Sequence, residues 1–256
     1  MSAVPFKRRP YAPALVGFGT LLVAIAIFEI LIRVGLLNRF IVPMPSQIAA
    51  AFERVILEEH IVERFFLTLQ ECISAAALLA VFGISIGTLL HRFDILRRAT
   101  ETWVAAAAAA PTVLMYPLFL VIFGRSAMTI IMMGFIAGLP AVILKTIEGL
   151  SGTRRVLLNV GKSFKLTPWQ IFWKIQFPSA LPTIFTGFKL GLIFALINVV
   201  GVEFLINFGG LGQLINDLAE RYDLAGTYAA ICFVILVSVV FFIVVERAEK
   251  WLTRAA

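Results

Sequence analysis

Few residues of this chain have a type and placement that could carry chemistry. Four ionisable side chains, Glu29, Glu71, Lys189 and Glu203, fall inside long apolar stretches, together with the amide of Asn198. A charge in hydrocarbon is costly, so such residues either pair with a neighbour or serve a solute or ion pathway. Glu29 and Glu71 have Arg33 and Arg64 as candidate partners. Lys189 lies near a polar boundary, where its long stem lets the ammonium reach water. Asn198 and Glu203 share one stretch but not one tight helical stripe. Both are candidates for a translocation pathway, and Glu203 equally suits pairing or capping.

Other candidates carry less. Gly161-Lys162-Ser163 reads like the end of a phosphate-binding loop, but that pattern needs a glycine where Val156 stands and a strand before it. His60 and His91 flank loops and suit solvated positions. Cys72 and Cys232 are far apart in apolar surroundings and read as small fillers, with no metal spacing. No nucleophile stands near a base. The chain therefore carries no expected catalytic residue, metal or cofactor, and an intramembrane enzyme lacks its catalytic pair.

The elements that would hold these residues are membrane helices. Of 256 residues, 61% are hydrophobic and 14% charged, against roughly 25% charged in soluble domains. The mean hydropathy is +0.97. Stretches of roughly 20 apolar residues can span a bilayer. Six occur, at about Ala12–Gly35, Phe65–Leu90, Val104–Phe123, Ala127–Glu148, Pro182–Ile206 and Gly226–Glu246. Pro111, Pro117 and Pro140 should kink the third and fourth. The first follows Lys7-Arg8-Arg9 and reads as an uncleaved span. The whole chain, 1–256, is expected to form one transmembrane domain of all-α fold.

Basic residues set the orientation. With the N-terminus inside, 15 lysines and arginines fall on the inner side and 6 on the outer, with Lys189 within the fifth span. Both termini are then cytoplasmic. The same placement explains the net charge of +7 without nucleic acid. Gly83 and Gly87, Gly134 and Gly138, and Gly187 and Gly191 have the spacing of close helix packing, expected within the bundle.

The segment from Gly149 to Leu181 becomes a cytoplasmic loop. Val156, Leu157, Val160 and Phe164 form one stripe of a short helix, with Arg154, Arg155, Lys162 and Lys165 around it. Either the protein's own helix ends or a partner's groove must cover that stripe. Thr167 and Pro168 start a second, aromatic helix suited to the membrane interface. Pro178 and Pro182 are expected to end it and turn the chain into the fifth span.

This loop resembles the EAA loop of permease subunits in bacterial ATP-binding-cassette importers. That motif reads E-A-A, three residues, G, nine residues, then I-x-L-P. Asn159-Val160-Gly161, Lys165 and Ile175-Gln176-Phe177-Pro178 occupy its positions without a gap. The Ile and Pro match; the Glu, both Ala, the Gly and the Leu do not. Further stretches agree in order. These are Pro43-Met44-Pro45-Ser46, Pro111 with Pro117-Leu118 and Phe123-Gly124, Phe177 to Pro182 with Gly187, and Glu203 before Gly210-Leu211-Gly212. Together they resemble the nitrate, sulfonate and taurine type of permease.

The resemblance implies a type I importer fold with a coupling helix at about Arg154–Leu166. Arg154, Arg155, Asn159, Val160, Gly161, Phe164 and Lys165 would then face an ATPase subunit. It also implies two ATPase copies that hold ATP and Mg, a second permease copy, and a periplasmic or lipid-anchored solute-binding protein. The setting would be the bacterial inner membrane, among its lipids. Nitrate, sulfonates, taurine or pyrimidine-like compounds would be the solutes. The rival reading is a self-contained secondary transporter or channel, which has no use for a basic docking loop.

Overall fold

The computed structural model describes residues 12–38 and 41–254, with side chains over 15–38 and 41–250. Lys7, Arg8, Arg9 and Arg39, and the side chain of Arg254, lie outside the described residues.

The described residues are helical almost throughout. In chain order they form α1 (Ala12–Arg33), α2 (Pro45–Glu58), α3 (Ile61–Leu78), α4 (Ile84–Arg92), α5 (Asp94–Ala109) and α6 (Tyr116–Phe123). There follow α7 (Ala127–Ser151), α8 (Arg155–Ser163), α9 (Pro168–Ile171), α10 (Phe177–Ile206), α11 (Gly210–Glu220) and α12 (Leu224–Arg254). A single π-turn, Leu79–Gly83, joins α3 to α4, so the second span is one run, Ile61–Arg92. Five runs are long and apolar enough to cross a membrane. The pair α5 and α6, bent by 92°, makes six if it counts as one span.

The core is a three-helix layer of α3–α4, α7 and α10, with α7 against α10 as its largest interface. Glycines let the backbones meet. A Cβ on Gly138 would lie 2.4 Å from the Gly191 carbonyl oxygen, and one on Gly87 would lie 2.6 Å from Thr146. The paired glycines thus serve packing inside the bundle, as expected from their spacing. Ala75, Leu79, Val142, Leu192 and Ala195 fill the space between.

At the end away from α8, the amphipathic helices α2 and α11 form a cap over the start of α12. Ala51, Val55, Leu211, Leu214, Leu218 and Ala229 are its buried centre. Ion pairs rim it: Arg64 with Asp217 at 2.9 Å, Arg221 with Glu59 at 2.8 Å, and Arg54 with Asp223. Asp223 also accepts the Gly226 N–H, holding the first turn of α12. Glu29, near the end of α1, pairs with Arg33 and accepts both the Ser46 N–H at 3.0 Å and its hydroxyl at 2.8 Å. The carboxylate thus caps α2 one residue inside Pro45, which gives the Pro-x-Pro-Ser stretch its physical sense.

Three expectations change. The third span is broken rather than kinked. Ala110 precedes a proline and is extended (φ −72°, ψ 137°), and Pro111 cannot donate to the turn before it. Pro178 and Pro182 do not end a helix: α9, a π-turn at Phe172–Gln176 and α10 form one run, Pro168–Ile206. The widened turn just before Pro178 shifts the hydrogen-bond register where the proline N–H is missing. Lys189, now deep in that run, pairs with Glu249 at 2.9 Å and lies over the Phe242 ring.

Candidate functional site

The short helix α8 stands on the rest of the protein by one side. Its buried residue is Gly161; a Cβ there would meet Ile175 at 2.7 Å and Ile171 at 3.2 Å. The opposite side is bare, with Val156 70%, Val160 46% and Phe164 75% exposed. Arg154, Arg155, Asn159 and Lys165 are also exposed, around that apolar stripe. Among the described residues, no helix end covers the stripe. The glycine that packs against α9 is one of the residues expected to face a partner; its place is on the inner side of α8.

The end of α8 explains a departure from the motif. Lys165 N–H bonds to Lys162 O at 2.9 Å and Leu166 N–H to Gly161 O at 3.1 Å, the two bonds of a Schellman close. Lys165 has φ +52°, the left-handed conformation that glycine adopts most easily. The position thus keeps a glycine's backbone shape under a lysine side chain. Thr167 then caps the next run by accepting the Gln170 N–H at 3.3 Å.

Asn198 and Glu203 part company. Asn198 faces the break between α5 and α6, where Thr112 donates its hydroxyl to Asn198 Oδ1 at 3.0 Å. The two residues share a cavity of about 340 Å³ with Pro111, Ala137, Ile197 and Gly201. No ionisable side chain among the described residues lines it. The break also leaves carbonyls at the end of α5 without the N–H that Pro111 lacks.

Glu203 lines no part of that cavity and is 0% exposed. Oε1 accepts the Thr68 hydroxyl at 2.7 Å and Oε2 accepts the Gly212 N–H at 2.8 Å. Thr68 in turn accepts the Leu211 N–H at 2.9 Å. The Glu71 carboxyl, expected beside an arginine, is buried beside the Glu203 carboxyl instead. Thr68 and Thr112 gave no signal in the sequence beyond lying near a buried acid and a proline. The Gly210-Leu211-Gly212 stretch was visible, but its partner was not.

This arrangement, a layered bundle with a helix break and a short helix projecting from its loop, has known counterparts. The profile of the family described as "binding-protein-dependent transport system inner membrane component" matches residues 80–254.

The chain belongs to this family.

It is an integral, multi-pass inner-membrane permease subunit of the ATP-binding-cassette importers, a transport component rather than a catalyst, and its family works with ATPase and binding-protein partners. Among curated relatives, a probable ABC transporter permease protein of Brucella melitensis is 23% identical over 84% of this chain and 87% of its own. The formylaminopyrimidine transport permease protein ThiX of Halalkalibacterium halodurans is 25% identical over 81% and 83%. The putative aliphatic sulfonates transport permease protein SsuC of Bacillus subtilis is 25% identical over 82% and 76%. In fold, the chain is similar to the MetNI methionine ABC transporter in an inward-facing conformation, with TM-score 0.63, 21% identity and 76% and 95% coverage. It is also similar to an amino acid ABC transporter, with TM-score 0.64, 14% identity and 80% and 97% coverage.

Proposed function

We propose that this permease is one half of a translocation unit, driven through α8 by a separate ATPase that docks on Val156, Val160 and Phe164. The observation that carries this reading is the bare apolar stripe on a helix whose other side rests on Ile171 and Ile175. An exposed stripe of this kind, ringed by Arg154, Arg155, Asn159 and Lys165, suits a groove on a partner. ATP and Mg bind the two ATPase copies, and a second permease copy completes the pathway. The charge asymmetry supports a cytoplasmic position for α8 and both termini. ATP-driven closure of the ATPase pair then biases the permeases between inward- and outward-open states.

The solute route passes the α5–α6 break. Broken helices with free carbonyls are where membrane transporters hold their cargo, and Asn198 with Thr112 supplies a neutral amide and hydroxyl there. Glu203 acts as a buried tie and not as a pathway residue. A small solute arrives on an extracytoplasmic binding protein. Relatives named for sulfonates and for formylaminopyrimidine support compounds of that size.

The test is Val160→Asp with Phe164→Asp. Solute uptake by vesicles holding permease, ATPase and binding protein should fall to background, and purified ATPase should no longer co-elute with the permease. The melting profile of the permease alone should stay unchanged. Wild-type uptake in the double variant overturns the docking assignment.

A further inference from the structure

One cavity belongs neither to the solute route nor to the docking stripe. It measures about 620 Å³ and opens between the end of the second span and the start of the run that Thr167 caps. Its walls are of two kinds. Arg92, His91, Gln176 and Thr167 are polar, and Trp169 and Phe172 are aromatic. The coupling helix α8 rests on a neighbouring face of the same run, through Ile171 and Ile175, so the two features do not compete for surface.

The electrostatics of the cavity are one-sided. The nearby arginines Arg97 and Arg98 are both paired with Asp94. Arg92 is paired with no carboxylate among the described residues, and no acidic side chain lines the cavity. His91 is held on both ring nitrogens, by Ser151 Oγ at 3.2 Å and by the Gln176 amide at 2.8 Å. The same amide donates to Leu150 O at 3.2 Å, so it meets His91 Nε2 as a donor and that nitrogen accepts. The cavity's positive charge is therefore that of Arg92. Thr167 accepts a backbone N–H through its oxygen and keeps its own hydrogen to donate.

The position is that of a membrane boundary. Arg92 is the last residue of the second apolar span. Trp169, Phe172 and Trp173 pack ring on ring, with Trp169 stacked on Phe172 at 6.4 Å and Trp173 edge-on to it at 5.1 Å. Such amphipathic ring clusters favour the headgroup level of a bilayer. Trp173, packed on both Trp169 and Phe172, is half exposed, which continues the aromatic wall onto apolar outer surface.

We propose that this cavity binds the headgroup phosphate of an anionic phospholipid. The Arg92 guanidinium is its counter-ion, the Thr167 hydroxyl a further donor, and Trp169 and Phe172 the wall for the glycerol and upper acyl chain. A guanidinium matches phosphate with paired donors, and basic pockets between membrane helices hold anionic headgroups in this way. The continuous apolar wall selects a lipid over a soluble phosphate ester.

The experiment uses the full chain in nanodiscs of phosphatidylcholine, with acyl-brominated phosphatidylglycerol or acyl-brominated phosphatidylcholine added at equal, low mole fraction. Tryptophan fluorescence is read. The anionic lipid should quench about twofold more than the zwitterionic one, since local enrichment follows the headgroup charge. Arg92→Gln should remove that difference, Arg92→Lys should retain most of it, and Trp169→Phe should remove most of it without touching the charge. Millimolar glycerol 3-phosphate should leave it unchanged. Equal quenching by the two lipids in the wild type overturns the proposal. So does an undiminished difference in Trp169→Phe or in folded Arg92→Gln. Reversal by glycerol 3-phosphate overturns it in favour of a soluble ligand.

Discussion

The carboxylate of Glu203 accepts the backbone N–H of Gly212 at 2.8 Å, and no larger residue could stand at that glycine. A Cβ on Gly212 would lie 2.1 Å from the Val200 carbonyl oxygen and 2.7 Å from Glu203 Cβ. Gly210, at φ +79°, would place a Cβ 2.0 Å from Glu203 Oε1. With Thr68 on the other oxygen, the acid joins the second span, α10 and α11 into one body.

Glu203→Ala should therefore lower stability strongly while its side chain touches no solute. It leaves the Gly212 N–H buried without an acceptor, at about 1–3 kcal/mol, and leaves the Thr68 hydroxyl only its longer bond to the Arg64 carbonyl oxygen at 3.3 Å. Glu203→Gln keeps the shape and one good acceptor and should cost less. Thermal unfolding of the purified permease checks this. An alanine variant as stable as wild type, yet dead in uptake, would return Glu203 to the pathway.

A second prediction concerns the α7–α10 interface. Gly138→Ala places a methyl 2.4 Å from the Gly191 carbonyl oxygen, a backbone atom that cannot swing aside. Overpacking of this kind costs about 1–3 kcal/mol. Gly17, with open space around its Cβ position, is the control, and Gly17→Ala should not destabilise. The midpoints of thermal unfolding of the two variants give the comparison.

Lys165→Gly should stabilise the close of α8. A left-handed conformation costs a non-glycine residue about 1 kcal/mol, partly offset by the greater freedom of glycine in the unfolded chain. Amide exchange of Leu166 and Lys165 should slow. Faster exchange at both amides would mean that the lysine side chain, and not the backbone shape, holds the turn.

The cap at the far end should soften in acid. Burial pushes the Asp223 carboxyl up, but the Arg54 guanidinium and the Gly226 N–H outweigh it and hold the group below its ordinary value. A group lowered in this way adds stability that is complete above about pH 4, the ordinary range for Asp, and is lost as pH falls through the lower folded value. Asp223→Asn should flatten the acid limb of a stability-against-pH curve. Because the pair is partly exposed, its size should also shrink in high salt.

How much of this was legible residue by residue follows one physical line. The span Ala127–Ser151, the Thr167 cap and the short helix α8 were readable because hydropathy, capping and periodicity are sums over near neighbours. The break at Pro111 was half readable. The proline announces a fault, but whether a helix kinks or turns by 92° depends on what packs beside it. Pro178 shows the reverse, a fault absorbed by one π-turn within a continuous run. The cap helices α2 and α11 went unseen as a pair, since each is apolar on one side only and that side matters only against the other.

The sequence by itself determined that the chain lives in a membrane, how its basic residues are distributed, and which family it resembles. Those properties reside in composition and in motif order, and they survive any arrangement of the helices. Only the tertiary structure decided that Glu71 meets Glu203 rather than an arginine, that Thr112 meets Asn198, and that the stripe on α8 is bare. Each of these is a contact between groups far apart in the chain, and the energy of a buried polar group is set by the partner that reaches it.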